Sequence, residues 1–303
     1  MGTVDILRPA HYEPSVDLPA PYPPSSQFPY SLSRTDQTSS IDDVVSEIKK
    51  LTASGEIRSL LNKHGAIYFQ NLNLKSADEF SQFAHAFGFA PHEDIGNPVR
   101  RTVLAPNVAT ANEGPNTMPI FPHNEFGLSP HFPSYVFFYC AEAPETGGET
   151  PLNPSSPLLA HLTTHRPAFI SSLRRLGLKY QLFHPSHQPT NSPGTTPLQA
   201  YGRTVLDTDP IDIIRSKVEA EVRRLPTAKW EWENISPDNQ LGDLRVWQVL
   251  PGIRTHPHTG EEMFFNNCVS RFLNAIREGT LEHPYRNGRG EYIPPCFVSF
   301  GRR

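Results

Sequence analysis

Apolar residues at helical spacing predict helices in the front, the middle and the later part of the chain. The first predicted helix begins after Ser39 or Ser40, either of which could cap it. Its apolar face consists of Ile41, Val44, Val45, Ile48 and Leu51. Further helices are predicted at 57–64, from a capping box at 76–79, at 156–176 with a break at Pro167, and after Pro210.

Runs of β-branched and aromatic residues predict strands between these helices. The clearest is the aromatic run SYVFFYC at 134–140, and others lie at 66–69, 178–183, 244–250 and 263–266. The polar stretch 184–200 is predicted to be a long loop, a class of segment that is usually functional or mobile. Together these elements predict an α+β fold with a β-rich core and decorating helices.

Residues 1–40 differ from the rest of the chain in composition. They carry Pro9, Pro14, Pro19, Pro21, Pro23, Pro24 and Pro29. Proline cannot continue a helix interior or donate a hydrogen bond within a central strand. The segment is therefore predicted to be a proline-rich arm, either extended on the domain or partly disordered, and the folded domain is predicted to occupy residues 41–303.

The composition narrows the class of protein and of partner. A net charge of −4 and a pI near 6.3 give no electrostatic reason to expect nucleic acid or a membrane surface as a partner. No apolar run approaches the roughly 18 to 20 residues of a membrane span, and the N-terminus lacks the pattern of a secretory signal. Three widely spaced cysteines suggest no disulfide framework. We therefore expect a cytoplasmic protein, and the sequence does not indicate its oligomeric state.

Histidine followed two positions later by an acid is the simplest metal-binding signal in the chain. It occurs three times, in the pairs His11–Glu13, His92–Asp94 and His123–Glu125. With 13 histidines and 31 acids in 303 residues, about 1.3 such pairs are expected by chance, so the spacing alone decides nothing. The third pair stands between a turn-rich stretch and the aromatic run. From there it could supply two donors of a 2-His-1-carboxylate iron site, although a surface histidine beside a surface glutamate is the plainer interpretation.

Several segments around this pair resemble one family. They are TANE at 110–113, FPHNE at 121–125, PSYVFFYC at 133–140 and GGETP at 147–151. In order and spacing they resemble the core of the TauD/TfdA-like, or clavaminate synthase-like, Fe(II)/2-oxoglutarate-dependent dioxygenases. A looser likeness extends from about residue 40 to 293.

This resemblance implies a distorted double-stranded β-helix, a relative of the jelly roll, with decorating helices. It implies that His123 and Glu125 ligate Fe(II) and that Thr150 contacts a carboxylate of 2-oxoglutarate. Asn112 and Glu113 are expected to line the substrate side. For Thr150 the alternative is an ordinary strand threonine, and for Gly147–Gly148 an ordinary turn.

The implied activity is the oxidation of a small molecule. Ferrous iron held on one face leaves positions open for 2-oxoglutarate and O2, and 2-oxoglutarate is decarboxylated to succinate. The partners implied are therefore a small-molecule substrate, 2-oxoglutarate and O2, whereas the substrate itself is not readable from the sequence.

The resemblance weakens towards the last residues. The family places a further histidine ligand, and an arginine for 2-oxoglutarate, in a late His-x-Arg-Arg run, and FGRR at 300–303 has phenylalanine in the place of that histidine. We therefore expect a domain that is incomplete at its C-terminus, with the last strands missing. Two alternatives stay open: an inactive member that binds a small molecule or partner, and a metal hydrolase that uses His123, Glu125, His256 and His258.

Overall fold

The computed structural model describes residues 6–36, 38–96, 99, 101–111, 113–114, 117–188, 194–288 and 290–298. The described helices are α1 (Ile41–Ala53), α2 (Glu56–His64), α3 (Ala77–His85), α4 (Ser155–His165), α5 (Pro167–Leu176), α6 (Pro197–Tyr201), α7 (Ile211–Arg223) and α8 (Cys268–Glu278). The described strands are β1 (Leu7–Pro9), β2 (Val16–Asp17), β3 (Gln27–Phe28), β4 (Tyr30–Arg34), β5 (Ile67–Gln70), β6 (Val103–Ala105), β7 (Val108–Ala109), β8 (Leu178–His184), β9 (Lys229–Glu233), β10 (Asp243–Leu250), β11 (Arg254–Thr255), β12 (Glu262–Met263) and β13 (Phe297–Val298).

The predicted helices form where local signals are strong. Ser40 caps α1, because its side chain accepts a hydrogen bond from the Asp43 amide while the Asp43 carboxylate accepts one from the Ser40 amide. Pro167 starts α5, as expected from the break predicted there. The apolar faces of α1 and α3 meet in one core cluster around Val44, Ile48 and Phe83.

The proline-rich arm is more regular than the sequence indicates. β1 and β4, both from the arm, join β5 in a three-stranded sheet in which β4 is central. β4 starts directly after Pro29, the last proline of the arm. Every residue of β4 therefore has a backbone N–H that can donate a hydrogen bond within the sheet. Leu7 and Leu32 are buried, which anchors the described part of the arm to the core.

The largest sheet has the strand order β13-β8-β10-β9, and its neighbouring strands are antiparallel. Alternate residues of β8 and β10 are buried, so the sheet has one covered face. Side chains of α5 and α7, such as Ile170, Leu173, Val218 and Val222, cover that face. Both strands were predicted, whereas β9 (KWEWE) and α8 were not.

The aromatic run at 134–140 is not a strand, which corrects the prediction. Its side chains alternate in exposure, with Tyr135, Phe137 and Tyr139 half-buried and Val136 and Phe138 exposed, but the run pairs with no strand among the described residues. The predicted strand at 263–266 is likewise reduced to the two residues of β12, and the predicted loop 184–200 ends in α6. A run of aromatic and β-branched residues favours a strand, but the hydrogen bonds of a strand need a partner segment from elsewhere in the fold.

The described residues therefore form an α+β fold of helices around small sheets, as predicted. Their sheets contain two to four strands and do not close into a barrel, so the expected double-stranded β-helix is not confirmed. None of the described helices is long and apolar enough to span a membrane. Cys140, Cys268 and Cys296 are free thiols.

Candidate metal centre

His123 and Glu125 lie on a tight turn ahead of the aromatic run. The Gly127 amide donates to the Asn124 carbonyl at 3.0 Å and closes a β-turn over residues 124–127. Phe126 occupies the left-handed region with φ of 55°, which is unusual for a bulky side chain. The turn brings the side chains of His123 and Glu125 together with about one third of each exposed, 35% and 28%.

The hydrogen bonds of His123 define its protonation. Its Nδ1 lies 2.7 Å from the Phe121 carbonyl oxygen, and because a carbonyl can only accept, Nδ1 must carry the proton. Nε2 then holds the lone pair of the neutral ring and faces Oε1 of Glu125 at 3.3 Å. Two electron-rich atoms so close together need a cation, which is either a proton on Nε2 or a metal ion.

The pKa values of the pair shift as that contact requires. The hydrogen bond to the Glu125 carboxylate raises the pKa of His123 above its usual value. Conversely, the hydrogen bond from His123, followed by the positive charge of Arg101, lowers the pKa of Glu125. The pair therefore favours a positive charge between its two donor atoms.

Arg101 engages the other carboxylate oxygen of Glu125. Its Nη2 lies 3.5 Å from Oε2, so Oε1 faces the histidine and Oε2 faces the guanidinium. The Nε of Arg101 is buried and has no hydrogen-bond partner among the described residues. Arg101 thus leaves one oxygen of the carboxylate available to a metal ion.

The pair fits two positions of a metal site. In an octahedral site, neighbouring donor atoms lie about 2.1 Å from the ion and form a donor–ion–donor angle of about 90°, which places them about 3.0 Å apart. The distance between Nε2 of His123 and Oε1 of Glu125 is close to this, at 3.3 Å. An imidazole with a fixed tautomer and a carboxylate are also ligand types that suit ferrous iron. The described residues do not, however, gather three or more histidine, cysteine, aspartate or glutamate side chains into one group that could hold a metal.

The other residues singled out in the sequence lie around this pair or apart from it. Glu113 closes the β6–β7 hairpin, because its carboxylate accepts hydrogen bonds from the Thr102 amide and from the Thr110 hydroxyl at 2.6 Å. This hairpin follows Arg101 directly in the chain. Asn112 lies outside the described residues.

Thr150 is exposed in the irregular segment that follows the aromatic run. Gly147 and Gly148 have φ of 74° and 78°, which agrees with the turn expected there. No hydrogen bond within the described part of the chain joins Thr150 to His123 or Glu125. Its role as a contact of 2-oxoglutarate therefore stays a prediction.

The remaining histidines do not extend the site into a larger cluster. His92 stacks on His131, with ring centroids 4.5 Å apart, and meets Phe126 edge to face, so it packs behind the turn. His256 and His258 lie in the β11–β12 hairpin with ring centroids 5.9 Å apart. Within the described ranges no metal-binding group unites them with His123 and Glu125, so the four-residue hydrolase site is not formed.

Sequence reasoning missed the polar residues that support the pair. Arg101 contacts Glu125, and Asn266 and Asn267 form hydrogen bonds with Asn124 of the turn. The adjacent asparagines of FFNN at 264–267 are visible in the sequence, but they lie 142 and 143 residues from Asn124. No local spacing connects the two segments.

Comparison with known proteins identifies the family. The sequence profile described as "Taurine catabolism dioxygenase TauD, TfdA family" matches residues 32–288. A clavaminate synthase-like protein of Arabidopsis thaliana is 30% identical over 216 residues, which are 71% of this chain and 61% of that protein. The dapdiamide synthesis protein DdaC of Enterobacter agglomerans is 25% identical over 231 residues, 76% of this chain and 61% of DdaC. The matched part thus spans less than two thirds of each relative, and the chain belongs to the taurine catabolism dioxygenase TauD, TfdA family.

Proposed function

We propose that the protein is an Fe(II)/2-oxoglutarate-dependent oxidoreductase that oxidises a small molecule. Its family consists typically of dioxygenases. The observation that supports the proposal most directly is the contact between His123 Nε2 and Glu125 Oε1, two donor atoms that require a cation between them. The proposal includes the jelly-roll core that the family implies.

In this proposal His123 and Glu125 supply two of the iron ligands. Bound iron supplies the redox chemistry that couples decarboxylation of 2-oxoglutarate to oxidation of the substrate. For a hydroxylation, the substrate, O2 and 2-oxoglutarate give the alcohol, succinate and CO2. The Phe121 carbonyl keeps the proton on Nδ1 of His123, and Arg101 holds Oε2 of Glu125, which leaves Nε2 and Oε1 as the two donor atoms for the ion.

The same proposal assigns Thr150 to a carboxylate of 2-oxoglutarate, and Asn112 and Glu113 to the substrate side. Glu113 is supported by its position on the hairpin that follows Arg101. The turn at Gly147–Gly148 would allow the chain to approach a ligand closely before Thr150.

An anaerobic absorption titration tests the proposal. Addition of Fe(II) and then 2-oxoglutarate is expected to give a charge-transfer band in the visible range, and His123→Ala is expected to abolish it. His11→Ala is the matched control, because His11 and Glu13 form an exposed pair of the same spacing in the proline-rich arm, with 2.9 Å between their side chains. A band that survives in His123→Ala, or that is lost in the control, would contradict the assignment.

A second function is favoured by one observation. The described residues group only two metal donors, so the chain could bind a small molecule or 2-oxoglutarate without turnover. Calorimetry would then show binding of 2-oxoglutarate, while an assay with 2-oxoglutarate and O2 would yield no succinate. Formation of succinate that depends on both Fe(II) and His123 would exclude this alternative.

A further inference from the structure

We propose that Asn267 is a positioning residue for the metal centre: it fixes the turn that carries His123 and Glu125. The inference rests on the proposed function, since it assigns those two side chains to a metal. Asn267 is the N-cap residue of α8. It is far from the turn in the sequence but contacts the turn in the folded chain.

The contact consists of reciprocal hydrogen bonds around Asn124, the residue between the two ligands. The Asn124 amide donates to Oδ1 of Asn267 at 2.8 Å, and the Asn266 amide donates to Oδ1 of Asn124 at 3.0 Å. We call Asn124, Asn266 and Asn267 the asparagine clasp. One bond uses the backbone of Asn124 and the other its side chain, so residue 124 is held at two points.

The far side of the asparagine clasp is itself rigid. The Asn267 amide donates to the Tyr180 hydroxyl at 2.9 Å, which connects it to the buried face of β8. Asn266 donates from Nδ2 to the Gly252 carbonyl at 2.7 Å and accepts from the Cys268 amide at 3.0 Å. Asn266 and Asn267 are 4% and 7% exposed, so water does not compete for these bonds. The asparagine clasp therefore fastens the turn to the main sheet.

Glycine at 127 permits this close approach. A Cβ atom at that position would lie 2.5 Å from Oδ1 of Asn267, a distance that real Cβ contacts do not show. The glycine amide also closes the turn, which contains Phe126 at positive φ. A left-handed conformation is unfavourable for a residue with a bulky side chain and persists only where the surroundings impose it. We infer that the hydrogen bonds of the asparagine clasp to Asn124 help to keep Phe126 in this conformation.

The consequence concerns the relative placement of the two ligands. His123 and Glu125 are each about one third exposed, and among the described residues only His123's bond to Phe121 and Arg101's contact with Glu125 hold their side chains from outside the pair. The backbone between them must then be fixed independently. Without Asn267 the amide of Asn124 loses its acceptor, and the turn is free to relax the distance between Nε2 and Oε1.

The test measures Co(II) binding to the whole chain by calorimetry, together with the d–d absorption spectrum of the bound ion. Asn267→Ala is expected to weaken binding about tenfold or more, the range typical of residues that orient metal ligands. Ser81→Ala is the matched control, because it also removes one hydrogen bond between a buried side chain and the backbone. In this case the Ser81 hydroxyl donates to the Pro106 carbonyl at 2.7 Å, in the cluster around α3. The control is expected to lose stability and keep its Co(II) affinity.

Two further measurements separate positioning from general destabilisation. Hydrogen exchange of the Asn124 amide, without metal, is expected to accelerate about tenfold or more in Asn267→Ala and to stay unchanged in Ser81→Ala. Gly127→Ala is expected to weaken Co(II) binding in the unaltered chain. It should add little in the Asn267→Ala background, because the atom it would collide with is gone.

The outcomes distinguish this inference from the proposed function. If the unaltered chain and His123→Ala bind Co(II) equally, or neither binds it, the proposed metal centre is wrong, and the role of Asn267 is wrong with it. If His123→Ala abolishes binding while Asn267→Ala keeps the affinity and spectrum of the unaltered chain, the centre stands and the positioning role is refuted.

Discussion

The buried histidine of the main sheet predicts how the stability of the protein depends on pH. His184, the last residue of β8, is 1% exposed, and its Nδ1 lies 3.1 Å from the Thr195 hydroxyl and 3.2 Å from the Thr195 carbonyl. Its Nε2 is buried and has no hydrogen-bond partner within the described ranges. Burial lowers the pKa of His184 from its usual 6.5 to about 4, since a charged ring would lose its hydration there.

The direction of the effect follows from proton linkage. Because the pKa of His184 is lower in the folded state, the unfolded chain binds the proton more readily between about pH 4 and 6.5. The contribution of neutral His184 to the free energy of unfolding is therefore fully present above pH 6.5. This contribution is lost as the pH falls towards 4. With one pKa unit worth about 1.36 kcal/mol, the full loss is about 3 kcal/mol, of which about 2 kcal/mol appears between pH 7.5 and pH 5.

The assay is urea unfolding at pH 7.5 and pH 5, followed by the fluorescence of Trp230, Trp232 and Trp247 in β9 and β10. His184→Asn keeps a side-chain donor for Thr195 but cannot titrate. The variant is expected to be less stable than the unaltered chain at pH 7.5, because the smaller side chain leaves a cavity. Between the two pH values, however, it should lose about 2 kcal/mol less. Equal losses in the two proteins would refute a buried neutral His184.

Three further predictions concern the fold. Gly96→Ala should destabilise the protein by about 2 to 4 kcal/mol in urea, since φ is 70° there and a Cβ atom would collide with the Tyr201 hydroxyl; a cost under 1 kcal/mol would contradict this packing. Ser40→Ala should cost about 1 kcal/mol by removing the cap of α1, and an unchanged urea midpoint would speak against the cap. Phe137→Ala should cost about 2 to 3 kcal/mol, whereas Phe138→Ala on the exposed face should change stability by less than about 0.5 kcal/mol; similar effects would show that the aromatic run does not pack on one face.

The sequence by itself determined six of the eight described helices, the two long strands of the main sheet and the candidate metal pair. The start of α1 and the break before α5 depend on signals within a few residues, because a helix satisfies its hydrogen bonds within its own segment. The apolar and aromatic runs at 178–183 and 244–250 likewise predicted the strands β8 and β10. His123 and Glu125 could be selected because the surrounding segments carry a family resemblance as well as the spacing.

Only the tertiary structure decided which extended segments become strands and what supports the metal pair. β4 finds partners in β1 and β5 despite the prolines before it, while the aromatic run at 134–140 pairs with no strand in the described part of the chain. A strand's hydrogen bonds are made to another segment, so its own residues do not specify the partner. The asparagine clasp has the same origin, since Asn124 meets Asn267 across 143 residues through contacts that exist only once α8 lies against the turn.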